Sequence, residues 1–221
     1  MEKPLFNTPA YSDVALSLQF GPPGEITKEE SHLFGEKLLA SSVPNVHCNI
    51  AMRVFWGLRN LTILGKTLDK PDVEDEDRFQ FSAAIETLTH NICALLEVQK
   101  PNTHETLLSK ITDIFAYGSL IYLFSSIRGL PIDMSMFHMF AERLKRAIEA
   151  PTVNSISADF PELTLWTLFQ GGKAAKGPLK SWFSGHSSKI LVQYRVENSG
   201  DVQGASEAFL WPESFSLNKI K

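Results

Sequence analysis

Polar side chains set in apolar helical stretches are the groups in this sequence that could bind or transform a small molecule. Arg53 and Trp56 lie in one such stretch, His90 in the next, and Tyr117 and Tyr122 in a third. If these stretches pack together, their side chains line an apolar cavity with a few polar groups, which is how most small-molecule sites are built. The candidate ligand-binding residues are therefore Arg53, Trp56, His90 and Tyr117. Imidazole and phenol groups exchange protons, so His90, Tyr117 and Tyr122 are the candidates for acid–base catalysis.

A structural role is the competing interpretation for each of these residues. Buried polar groups normally have hydrogen-bond partners for structural reasons alone, so we favour this interpretation for any single candidate. Trp56, Trp166 and Trp182 are also typical of a core, because tryptophan contributes a large buried apolar area.

Motifs for metal-dependent or nucleophilic catalysis are weak. The two cysteines, Cys48 and Cys93, are far apart and begin no Cys-x-x-Cys pair, so we expect no metal site and no cofactor. The segment 184–188, Ser-Gly-His-Ser-Ser, lacks a preceding strand and sharp turn, and we interpret it as a polar helix face or a local kink. The acidic run at 71–77 lacks the spaced ligands and turn glycine of a calcium loop. We interpret this acidic run as a solvated loop that leads into the N-terminus of a helix.

Apolar residues recur with spacings of three and four residues along most of the chain, as on one face of a helix. A capping-box pattern at Thr27–Glu30 starts a helix that is predicted to run to about Ser42. The clearest face runs from Ile50 to Leu68, and a helix carrying Val202 is predicted near the end. Further helical faces are predicted at 81–95, 107–125, 137–148 and 179–196.

The same pattern predicts a helix end and disfavours strands. Arg128-Gly129, followed by Pro131, predicts the end of a helix, because a cation, a glycine and a proline occur there in that order. The segment 192–196 could form a short strand, but it continues a helical face. The sequence therefore predicts an all-α protein.

The stretch from Pro161 to Phe183 is predicted to form the centre of the fold. Its residues are apolar all round, which is typical of a buried helix, and Trp166 is expected in the core. Gly171 is expected to adopt the left-handed conformation that ends a helix. Lys173 lacks phosphate-loop spacing and is interpreted as an isolated positive charge. The fold expected is a single irregular bundle of about eight helices around this short central one.

Composition and charge limit the class of protein. Residues 1–24 are rich in proline and glycine and are predicted to be an irregular arm, while 25–221 are predicted to form one helical domain. The start of the chain lacks a secretory apolar region, and no apolar run is long enough for a membrane span. The net charge of −4 does not favour direct binding to nucleic acid. Two cysteines in apolar patterns favour a reducing compartment, the nucleus or the cytoplasm.

Three segments resemble a known family. They are LTLWTLFQGGKAAKGPLKSWF at 163–183, LIYLFSSIRGLP at 120–131 and FLWPESF at 209–215. They are similar to the C-terminal half of the regulatory (middle homology-like) domain of fungal zinc-cluster transcription factors. The similarity consists of packing residues, so it implies a fold more than an activity. This chain lacks the six cysteines of the family's DNA-binding zinc cluster.

The resemblance implies a stand-alone regulatory domain linked to fungal secondary metabolism. Such a domain acts on transcription through a protein partner or a bound hydrophobic metabolite, and not by reading DNA itself. A homodimer through a helical surface is compatible with this interpretation.

An enzyme is the alternative hypothesis. A helical shell with an apolar cavity could fold a hydrophobic substrate and catalyse cyclisation or isomerisation. Such chemistry depends on positioning and one or two acid–base groups, so it requires no recognisable motif.

Overall fold

The computed structural model describes residues 46–68, 74–97, 107–149 and 161–193. These residues form six α-helices and a π-helical turn, and no strand occurs among them, so the all-α prediction is confirmed for this part of the chain. The elements are α1 (Val46–Leu68), α2 (Asp75–Glu97), α3 (Leu107–Tyr122), the π turn (Leu123–Ile127), α4 (Ser135–Ile148), α5 (Pro161–Ala174) and α6 (Gly177–Gln193). The predicted arm at 1–24 and the helices predicted near Thr27 and Val202 lie outside the described residues.

Helix α3 has the most neighbours among the described helices. It contacts α1, α2, α4 and α5, whereas α5 contacts α3, α4 and α6. Most of the circumference of α3 is buried, and only the side with Lys110, Asp113 and Tyr117 is partly exposed. The buried apolar residues are Ile111, Ile114, Phe115, Ala116, Leu120 and Ile121. The central position expected for the Trp166 helix is therefore occupied by α3 in this part of the chain. The reason is that apolar residues occupy most of the circumference of α3, so several helices can pack against it.

Helices α3 and α5 approach closely at Gly118, where a side chain would not fit. A Cβ atom at Gly118 would lie 2.8 Å from Cζ3 of Trp166 and 2.9 Å from Cγ2 of Thr167. Trp166 is fully buried, as predicted, and its ring centre lies 6.2 Å from that of Phe115 and 5.9 Å from that of Tyr122. Aromatic pairs at these separations stabilise the core beyond the effect of buried area.

The junction of α5 and α6 differs from the prediction. Helix α5 continues through Gly171 and Gly172, so the expected left-handed conformation of Gly171 is wrong. The left-handed glycine here is Gly177, with φ of 55° at the start of α6. A Cβ atom on Gly171 would collide with the ring of Phe183, whose Cδ1 would be 2.8 Å away and other ring atoms closer still. Close packing, and not backbone conformation, is what requires glycine at 171.

The π turn ends where the sequence predicts a helix to stop. The Arg128 N–H donates to the Leu123 carbonyl at 2.8 Å, across five residues as in a π-helix. Gly129 then adopts φ of 66°, and the Leu130 N–H donates to the Phe124 carbonyl at 2.9 Å. The stop at Arg128-Gly129 is confirmed.

Candidate functional site

The four predicted ligand-binding residues occupy different environments. Arg53 is exposed on α1 and His90 is exposed on α2, Tyr117 is half-buried on α3, and Trp56 is only 2% exposed. The buried indole N–H of Trp56 has no hydrogen-bond partner among the described residues. In the described part of the chain, no hydrogen bond, ion pair or ring contact joins any two of these four candidate residues. Their role as ligand-binding residues stays a prediction.

Tyr122, a candidate for acid–base chemistry, lies in the core. Its side chain is fully buried, and its hydroxyl lies 2.9 Å from Oγ1 of Thr62. Thr62 donates its one hydroxyl proton to the Leu58 carbonyl at 2.7 Å, so the Tyr122 hydroxyl donates to Thr62. Burial raises the pKa of Tyr122, because the phenolate loses its water. This arrangement is typical of a structural hydrogen bond between α1 and α3.

A pocket of about 200 Å³ lies between α2 and the end of the π turn. Its lining combines apolar side chains with a polar rim: Phe81, Ser82, Ile85, Glu86, Ile127 and Arg128. None of these residues was singled out as a ligand-binding candidate from the sequence. No local signal could have identified them, because α2 and the π turn are brought together only by packing.

An ion pair at the rim of this pocket limits what it can bind. Arg128 Nη1 lies 3.3 Å from Glu86 Oε1, and both side chains are largely exposed. The Arg128 guanidinium also lies 6.0 Å above the ring of Phe124. An exposed pair of this kind contributes about 0–1 kcal/mol. A carboxylate ligand could therefore replace Glu86 as the partner of Arg128 with little loss of stability. The pocket beside this ion pair has room for a small ligand only.

The serines around His186 form no nucleophile–base pair. His186 Nδ1 lies 2.9 Å from the Trp182 carbonyl oxygen, and its ring stacks on Trp182 with centres 3.9 Å apart. Ser187 and Ser188 donate to the main-chain carbonyls four residues earlier on the same helix, at 3.0 Å each. These contacts are local to α6, as in a helix, but Ser187 is buried, so the segment does not form an exposed polar face throughout.

Metal-binding clusters and membrane-spanning helices are absent from the described part of the chain. No group of three or more His, Cys, Asp or Glu side chains that could hold a metal ion occurs among the described residues. Across the same residues, no helix combines the length and the apolar character needed to cross a bilayer. Cys93 is a half-buried free thiol on α2, and burial together with the nearby Glu97 carboxylate raises its pKa.

Comparison of the chain with protein families, with curated proteins and with solved structures found no match in any of the three. The resemblance to the fungal regulatory domain therefore depends on the three quoted segments alone. It stays a prediction.

Proposed function

We propose that this chain is a regulatory domain of the fungal transcription-factor type, and its own 221 residues contain too few cysteines for a zinc cluster. It modulates transcription through contact with a protein partner or a bound metabolite, in connection with secondary metabolism. The whole domain is an irregular bundle of about eight helices, and it acts from the nucleus or the cytoplasm.

The buried positions of residues in the segment 163–183 support this proposal. The resembling segment at 163–183 places Trp166, Ala174, Ala175 and Phe183 in the core, each no more than 4% exposed. Gly171 lies against the Phe183 ring where no side chain fits. A family defined by packing residues is expected to use them in this way, because interiors are closely packed and depend on the shapes of the side chains.

The pocket beside Arg128 is small for a metabolite. The pocket described above has a volume of about 200 Å³. Sites for drug-sized ligands usually enclose about 300–1,000 Å³. This pocket is too small for a large hydrophobic metabolite, whereas contact with a partner protein needs no cavity, and the proposal keeps both modes of action.

A reporter assay tests this function. The full chain, fused to an unrelated DNA-binding module, is expected to change transcription of a reporter gene several-fold relative to the module alone. A Gly172→Ala fusion serves as a folded control and should act like the wild type, because a Cβ atom there makes only ordinary contacts. An unchanged reporter, with the fusion folded and expressed, contradicts the proposal.

The enzyme alternative gives a different outcome. Purified chain incubated with a metabolite extract would then catalyse a conversion that leaves the mass of a compound unchanged. That conversion would disappear in a folded His90→Ala or Tyr117→Phe variant. Under the regulatory proposal, no such conversion is expected.

A further inference from the structure

Three polar groups meet where the π turn lies beside the end of α5. Lys173 Nζ donates to Ser125 Oγ at 3.1 Å and to Ser126 Oγ at 3.0 Å. The two serine hydroxyls lie 3.4 Å apart, which is long for an O–H···O hydrogen bond. The three atoms form a compact triangle whose members come from two separate elements.

The π turn explains how two consecutive serines reach the same ammonium group. In an α-helix with 3.6 residues per turn, adjacent side chains point in clearly different directions. The wider π turn at Leu123–Ile127 reduces that divergence, so Ser125 and Ser126 both face Lys173. Turns of this type are rare and occur frequently at functional sites.

All three groups have protons left to donate. The Lys173 ammonium has three protons and uses two of them on the serines. Each serine oxygen accepts from Lys173 and keeps its own hydroxyl proton for another acceptor. The triangle therefore presents three donors to a ligand.

The charge of Lys173 is not neutralised by its partners. Both serine hydroxyls are uncharged, and no carboxylate pairs with Lys173 within the described residues. Lys173 is exposed overall, but the serines and helices beside its ammonium group displace part of the surrounding water, which lowers its pKa. A bound anion would supply the missing opposite charge.

We propose that Ser125, Ser126 and Lys173 form a binding site for a compact phosphate-type oxyanion, either inorganic phosphate or the phosphate group of a small molecule. Charge-assisted hydrogen bonds from the ammonium and the hydroxyls hold the anion. Three donors about 3 Å apart match the oxygens of one face of a tetrahedral anion better than the two oxygens of a carboxylate. The proposal does not depend on the regulatory function.

Titration of the full chain with inorganic phosphate tests the site. At constant ionic strength, the backbone amide NMR signals of the three residues are expected to shift and to saturate. Lys173→Met keeps most of the aliphatic side chain and should weaken binding by at least about tenfold, because a charged hydrogen-bond donor is lost. Ser125→Ala and Ser126→Ala should each weaken it by about two- to tenfold. Acetate at the same ionic strength should bind more weakly than phosphate.

Lys176→Met is the matched control for charge. Lys176 lies three residues beyond Lys173, is exposed as Lys173 is, and donates to the Asp133 carbonyl oxygen at 3.1 Å. Its replacement should leave phosphate binding unchanged. Equal weakening by the two lysine variants, or no saturation in the wild type, overturns the proposal. If circular dichroism shows that Lys173→Met is unfolded, the Ser125→Ala/Ser126→Ala double variant decides, and unchanged affinity in it overturns the site.

Discussion

The hydrogen bond between Tyr122 and Thr62 shows how a polar residue in an apolar stretch can be structural. The phenol is fully buried between α1 and α3, and its ring also packs near Trp166. The hydroxyl would otherwise lack a partner in the core, which costs about 1–3 kcal/mol. The sequence indicated the polar residue, but only packing showed that Thr62 is its partner.

The buried phenol predicts a dependence of stability on alkaline pH. Burial raises the pKa of Tyr122 in the folded state above the pKa of tyrosine in the unfolded chain, about 10. The stability that the neutral phenol contributes is therefore fully present at pH values below about 10. As the pH rises beyond that value, the unfolded state loses the proton more readily, and the free energy of unfolding falls. Tyr122→Phe should cost about 1 kcal/mol at neutral pH. It should also reduce the alkaline loss, as measured by urea unfolding at several pH values.

This prediction has a clear contrary result. If the alkaline loss in Tyr122→Phe equals that of the wild type, the buried phenol is not the group responsible. Thr62 keeps its hydrogen bond to the Leu58 carbonyl in the variant, so no new buried donor is left without a partner.

At the scale of elements, glycines set how closely the helices approach. Gly118 allows α5 to lie against α3, and Gly171 allows the Phe183 ring of α6 to lie on α5. Both positions are helical, where glycine is less favourable than alanine by about 1 kcal/mol. The close packing of large aromatic rings offsets that cost.

Two adjacent glycines in α5 test this explanation. Gly171→Ala should destabilise the protein by about 1–3 kcal/mol, because its Cβ atom overpacks the buried Phe183 ring. Gly172→Ala should be neutral or stabilising by up to about 1 kcal/mol, since its Cβ atom would lie 3.5 Å from Phe183 Cβ, an ordinary contact. Chemical denaturation of both variants measures the difference.

The Phe183→Leu variant tests whether the cost of Gly171→Ala comes from contact with the Phe183 ring. If the collision is with the ring, Gly171→Ala should cost less in the Phe183→Leu background than in the wild type. The same cost in both backgrounds would show that Gly171 acts through some other contact.

At the scale of the molecule, one core joins the described helices. Buried residues of α1 to α6 and the π turn form a single hydrophobic cluster that includes Trp166. A single core of this kind favours a cooperative, two-state transition, because removal of one helix exposes apolar surface on its neighbours.

Replacement of Trp166 tests this cooperativity. Trp166→Ala should destabilise the whole chain by about 3–5 kcal/mol, a large part of the 5–15 kcal/mol typical of a domain. Circular dichroism and tryptophan fluorescence should report one coincident unfolding transition. Val192→Ala is the control: Val192 is 79% exposed on α6, so its effect should stay within about 0.5 kcal/mol. Separate transitions for the two probes would contradict a single core.

The sequence by itself determined the helices and the burial of Trp166. The repeat of apolar residues from Ile50 to Leu68 and the stop at Gly129 depend on neighbours within a few residues, so they can be read without a fold. The acidic run at 71–77 was interpreted as a loop that leads into a helix start, whereas α2 already begins at Asp75, so Asp75–Asp77 form its first turn.

Only the tertiary structure decided how those helices meet. The central position of α3, the need for glycine at 171, the pocket at Arg128 and the contact of Lys173 with two serines each join residues distant in sequence. Periodicity identifies the apolar face of a helix but not the helix that covers it, because many partners bury the same area equally well. The shapes of the side chains at each crossing select among those partners.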